Sequence, residues 1–211
     1  MAQPARTPRK GGEAIALHPV SIGNMTAQTA WRRAVAHVLV FAALVVPARA
    51  APFPECAERA YAQAVAASQE WQHALRDLSV ELRPDLATVA TLEMERQLAL
   101  LDRRHAQFRY LLRADIGRLH PRGGLATFRN FDWKETDARI LRQQSSDYVA
   151  LDHKVVDLER QVEGRRDLPM LKDYVRTSLS ATPQFQDLLK RFQEREQGIE
   201  GFLKSCGPGT P

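Results

Sequence analysis

Past Pro54 the sequence predicts an all-α protein, either an up-down-up-down four-helix bundle or a pair of long antiparallel helical hairpins. Three observations carry this. Apolar side chains recur at alternating spacings of three and four through four consecutive stretches. Proline and glycine gather at a few joints between those stretches. Too few apolar residues lie outside the stripes to build a sheet.

The first stretch spans about 54–82, where Tyr61, Ala64, Ser68, Trp71, Leu75, Leu78 and Leu82 fall on one helical stripe. Arg83-Pro84 ends it, because the residue before a proline avoids the α region. The second stretch, about 85–117, carries Met94, Leu98, Leu101, His105, Phe108 and Leu112 on its stripe and closes near Gly117. A loop over 118–131 follows, with Pro121, Gly123 and Gly124. Asp132 and Glu135 then read as a capping box, an acceptor at the N-cap with an acid three residues on. They open a third helix over about 133–163 with Leu141, Gln144, Tyr148, Leu151, Val155, Leu158 and Val162 inward. Gln144 on that stripe reads as a polar seam residue that sets register. The fourth stretch, about 169–205, breaks at Thr182-Pro183, where threonine caps and proline takes the first helical position. Phe185, Leu188, Phe192, Ile199 and Phe202 continue its period. At 1.5 Å per residue the four segments span roughly 45–50 Å each, which suits antiparallel neighbours joined by short turns.

The two cysteines support the same topology. Cys56 lies in the first turn of the first helix and Cys206 at the end of the fourth, and an up-down arrangement brings those ends to one pole. A disulfide between them is expected in an oxidising compartment.

Residues 1–50 read as a secretory leader. An apolar run over 34–46 follows Arg32 and Arg33 and ends in Pro47 and Ala48-Arg49-Ala50, so cleavage is expected after Ala50. The run has 13 residues, well short of the roughly 20 that span a bilayer, so no stable membrane insertion is expected after cleavage. The rivals are a mitochondrial presequence and a twin-arginine signal, whose pattern Trp31 and Ala-Val-Ala fit poorly. The stretch before Met25 makes an unusually long n-region, and Met25 would start a leader of ordinary length. Past residue 50 the chain reads as one α-helical domain over 51–211, periplasmic or secreted.

The leader also explains the charge. The chain holds 30 basic and 25 acidic side chains, a net of +5. The leader carries six basic residues and one acid, so the other 161 residues hold 24 of each sign. Nucleic-acid binding thereby loses its electrostatic support. What persists is local: residues 55–95 are net −5, and 96–122 are net +5 through seven arginines against two acids. Pairing of these opposite faces across a hairpin is the plain structural reading.

Tests for chemistry are largely negative, and the expectation is a protein that is not an enzyme and carries no cofactor. Covalent haem needs Cys-x-x-Cys-His, which is absent. Axial haem ligation by Met94 and His105 fails because both lie on one helix, about 16 Å apart along its axis, and Met170 falls in a turn. A di-metal carboxylate site needs Glu-x-x-His on two helices. Glu70 and His73 have the spacing but point outward by phase, and beside the near match of Asp102 and His105 only His105 points inward. No metal site is expected, and His105 reads as a core polar residue.

The remaining candidate is the loop between the second and third helices. Arg118, His120, Arg122, Phe128, Arg129, Phe131 and Trp133 gather over 118–133, the exposed basic face of the second helix adds Arg113, and arginine and aromatic side chains dominate binding hot spots. The expectation is contact with another protein or an anionic envelope component. The competing structural reading is that Phe128, Phe131 and Trp133 plug the end of the core. Two other functional readings stand beside it: a haem- or metal-binding bundle, and a structural or self-associating coiled coil such as a homodimer.

Overall fold

The computed structural model describes residues 53–120 and 123–207, and every regular element among them is helical. The leader 1–50 and its alternative start at Met25 lie outside the described residues, as does Arg122. No helix among the described residues is long and apolar enough to cross a membrane.

Helix α1 runs Phe53–Leu82 and buries Phe53, Ala57, Ala60, Tyr61, Ala64, Val65 and Ala67. This face is rich in alanine, which lets the next helix approach closely. Arg83 leaves the helical region at φ −141° and ψ 74°, as its position before Pro84 requires, and a 3-10 turn over Pro84–Leu86 reverses the chain. Helix α2, Ala87–Ala114, packs on α1 from one side. Met94, Phe108 and Leu112 of the expected stripe are buried, while Leu98, Leu101 and His105 are only half-buried.

The expected loop contains a further helix. After a 3-10 turn over Ile116–Leu119, His120 takes a left-handed conformation at φ 48°, and α3 follows at Leu125–Arg129. Gly124 before it has φ 76°, and a Cβ there would lie 2.5 Å from the Glu200 carboxylate. That carboxylate accepts from Leu125 N–H at 2.7 Å, so glycine is needed for both backbone angle and space.

The third expected helix starts later than read and is split. Helix α4 covers Glu135–Gln144 and α5 covers Ser146–Glu163. The start falls at Glu135 because the Asp137 carboxylate accepts from Lys134 N–H, leaving Asp132 outside the helix beside Arg118 and Lys134. The split falls at Ser145, extended at φ −144°, whose hydroxyl accepts from Tyr148 N–H at 3.1 Å and begins α5. Gln144 is therefore an exposed residue at a break and not a buried seam position. The last stretch divides into α6, Leu168–Thr177, a 3-10 turn over Leu179–Ala181, and α7, Pro183–Ser205. Thr182 caps α7 by accepting from Phe185 N–H at 3.2 Å, with Pro183 at its first position as the sequence indicates.

The packed pairs are antiparallel. Along α2 and α5, Gln107 meets Tyr148 and Arg103 meets Asp152. Along α1 and α7, Cys56 meets Cys206 and Glu70 meets Arg195. Thus α5 lies against α2, α7 lies against α1, and α6 leans on the far end of α2. The outer helices α5 and α7 make their main contacts with the central hairpin and not with each other. The apolar core accordingly forms three clusters. One, around Tyr61, Phe108, Phe128, Phe131, Ile199 and Leu203, fills the pole where α1 begins. A second, around Leu86, Val89, Ala90 and Leu171, fills the opposite pole, and Ala99, Val155 and Leu158 form a small one between.

At the first pole Cys56 and Cys206 stand with Cα atoms 5.8 Å apart, within the disulfide range.

Candidate functional site

The expected contact loop is largely consumed by structure. Phe128 and Phe131 are buried, packing at 5.2 and 6.3 Å from the Phe108 ring. Neither is available to a partner, which corrects their reading as contact residues. Trp133 is partly buried and meets Tyr110 edge-on at 5.7 Å and Tyr148 at 6.3 Å. The plug reading holds for these rings because α2 runs beneath them, and its Arg104 also covers the segment. The Arg104 guanidinium stacks on the Phe131 ring at 3.6 Å and donates to the carbonyls of Phe131 and Arg129 at 2.9 and 3.2 Å.

The loop arginines are engaged as well. Arg118 sits 2.9 Å from Asp137 and donates to the Asp132 carbonyl at 2.6 Å. Its bond holds the Asp137 carboxyl below the usual carboxylate range. Arg129 pairs with Glu196 of α7. His120 is exposed, and its carbonyl accepts from Gly123 N–H at 2.8 Å to close the turn.

Across the +5 segment the same accounting applies. Arg96 pairs with Glu93, Arg103 with Asp152, Arg109 with Glu58 of α1, and Arg118 with Asp137. Arg113 differs. Its Nε donates to the Arg109 carbonyl one turn back, at 3.2 Å, and among the described residues no carboxylate pairs with it. Two of its nitrogens are thereby left for another acceptor.

Arg113 lines an open cleft of about 730 Å³ between α2 and the α4–α5 junction. His105, Arg109 and Arg113 follow one another at a spacing of four, which places them on one face of α2. Tyr110 and Tyr148 line the cleft as well, and Ser145 and Asp147 border it where α5 begins. The break at Ser145 therefore shapes the site.

His105 is the titratable group at the back. Its Nε2 is buried without a hydrogen-bond partner among the described residues, and its ring tilts 52° to that of Tyr61 at 5.8 Å. Burial, aided by the Arg109 charge, holds its pKa below the ordinary histidine value, against the opposing pull of Glu58 and Asp102. Asp102 is itself occupied, accepting from Gln69 at 2.8 Å. Behind His105, burial raises the Tyr61 hydroxyl to about 12 despite Arg104 and Arg129.

The cleft thus offers an Arg113 guanidinium, the remaining nitrogens of Arg109 and one imidazole, set between two tyrosines, with the Asp102 and Asp147 carboxylates also in its lining. No cluster of three or more His, Cys, Asp or Glu side chains that could hold a metal ion occurs among the described residues. Sequence reasoning reached Arg113 but missed His105 and Arg109 as its companions. The signal was the four-residue spacing, which the inward stripe of His105 concealed. No protein-family model, no curated protein and no solved structure matches the chain.

Proposed function

We propose that the chain is the precursor of an exported, non-enzymatic helical protein that binds an anionic group of a macromolecular partner or envelope component. The leader 1–50 directs export, and the periplasm or the exterior is the working compartment. The four long segments run up-down-up-down, and a disulfide between Cys56 and Cys206 joins their ends. The contact surface is the α2 cleft at His105, Arg109 and Arg113, in place of the loop 118–133.

One observation carries this reading. Arg113 is the described arginine of the basic segment that meets neither a carboxylate nor a carbonyl of another element, and it stands at the mouth of a cleft. A guanidinium so placed recognises carboxylate or phosphate oxygens through paired N–H donors. Salt-dependent retention of the purified protein on a phosphate-bearing matrix tests it. The Arg109→Ala/Arg113→Ala variant is expected to elute at clearly lower salt than the wild type. Identical elution of the two proteins would overturn the reading.

A further inference from the structure

A second cleft, of about 370 Å³, opens at the other end of the molecule, where α6 leans on α1 and α2. This is within the size of small-molecule sites, about 300–1,000 Å³. Its floor is apolar and comes from three helices: Leu75 of α1, Ala90 and Met94 of α2, Leu171 and Val175 of α6. Ser79 also lines it, but its hydroxyl is turned to the Leu75 carbonyl at 2.7 Å and offers the cleft no donor. Methionine at the base makes such a floor adaptable to a flexible chain.

The rim carries charge of unequal sign. Glu93 is the acid of the cleft, and both its oxygens are taken. Arg96 donates to them at 2.9 and 2.7 Å, and Gln97 adds a third bond at 2.8 Å. Of the three basic groups, Lys172 is the one without a carboxylate partner among the described residues. It stands near enough to Glu93 to lower the pKa of that carboxyl. Arg176 is held by Asp173 on the solvent side. The Nε of Arg76 is buried and makes no hydrogen bond, since Asp77 approaches it at 3.1 Å at an angle that forms none. Asp77 nonetheless balances the Arg76 charge, so Lys172 is the cation of the rim that no carboxylate among the described residues pairs with.

From this pairing of apolar floor and cationic rim we infer that the α1–α2–α6 cleft binds a single-chain anionic amphiphile. The alkyl chain lies over Leu75, Met94, Leu171 and Val175. The head group, a carboxylate or a phosphate, meets Lys172, with the Asp77-paired Arg76 guanidinium beside it. This site lies apart from the α2–α5 cleft and does not depend on the function proposed for it.

Calorimetric titration of the purified protein with decanoate, decanol and decyltrimethylammonium tests the assignment. Saturable one-to-one binding of decanoate is expected, with decanol at least tenfold weaker and the cation not bound. From hexanoate to decanoate, each added methylene should tighten binding up to about fourfold. Lys172→Glu, an exposed position, should weaken decanoate at least tenfold, and Val175→Trp should abolish binding by filling the cleft. Thermal melting of each variant reports that it is folded. Absent or non-saturable decanoate binding, equal binding of the cation, or undiminished affinity in folded Lys172→Glu or Val175→Trp would each overturn the assignment. A phosphate head in place of the carboxylate, tested with decyl phosphate, identifies which anion is preferred.

Discussion

Gln107 of α2 donates from its Nε2 to the hydroxyl of Tyr148 of α5 across 3.0 Å, and both side chains are buried. This bond crosses the seam beside the α2–α5 cleft and helps to hold α5 in place. Tyr148→Phe removes the acceptor and leaves a buried amide donor unpaired, at a cost of about 1–3 kcal/mol. Adding Gln107→Leu removes the donor too and should recover a large part of that loss. Urea unfolding of the wild type, the single variant and the double variant checks this. A double variant no more stable than the single one would show that the bond is not the source of the effect.

Gly124 is expected to be among the least replaceable glycines. At φ 76° any other residue is strained, and its Cβ would meet the Glu200 carboxylate that accepts from Leu125 N–H. Gly124→Ala should cost about 1–3 kcal/mol. Gly198→Ala, with open space around it, serves as the comparison and should be neutral or slightly stabilising in its helix. Equal melting temperatures for the two variants would contradict the reading.

The pH dependence follows from His105, whose imidazole titrates below 6.5 because it is buried beside Arg109. The unfolded chain takes up this proton more readily than the folded one. The associated stability is therefore present above the ordinary histidine pKa and lost as pH falls through the lowered one. An anion in the cleft favours the imidazolium, so its affinity should rise over the same window. The groups that face it are Glu58 and Tyr61 of α1, Asp102 and Arg109 of α2 and Asp147 of α5. Binding to a sulfonate-bearing matrix, whose own charge is constant from pH 5 to 7, measures this, and in His105→Gln the difference should shrink.

Reduction of the Cys56–Cys206 pair should destabilise the protein strongly. The two residues are 150 apart in sequence, and closing so long a loop contributes about 5 kcal/mol by chain entropy, with strain subtracting from it. Denaturant midpoints with and without reductant report the loss. An unchanged midpoint, or two alkylatable thiols in the protein isolated without reductant, would exclude the bond.

The fold was most legible where the apolar period ran unbroken and proline ended it. Helix α1 is observed at Phe53–Leu82 against an expected 54–82, and the Thr182-Pro183 cap falls where the residues indicated. Legibility failed in two ways. Helix α3 has five residues, too few for any period, inside a glycine-rich stretch. The break at Ser145 preserves helical phase, so Leu141, Tyr148 and Val155 remain on one stripe across it and the period gives no warning. The cap signal lay instead in Ser145 itself. The site was harder still, because composition cannot tell an aromatic plug from an aromatic contact. That difference is made by Arg104 and Phe108 of a helix more than twenty residues away in sequence from Phe131. The surviving site residue, Arg113, owes its status to what does not pair with it, which no linear pattern records.

The meeting of Cys56 with Cys206 has a topological consequence. With the bond closed, the chain from Cys56 to Cys206 forms a covalent ring that holds α1 to α7. A protease that cuts the ring once, for example between α2 and α3, releases no fragment, and the nicked protein still migrates as one species until it is reduced. Two cuts are needed to separate any helix from the rest. In a compartment rich in proteases, such a chain tolerates a first nick with all its helices still tethered together, and an opened loop can settle back against the same neighbours.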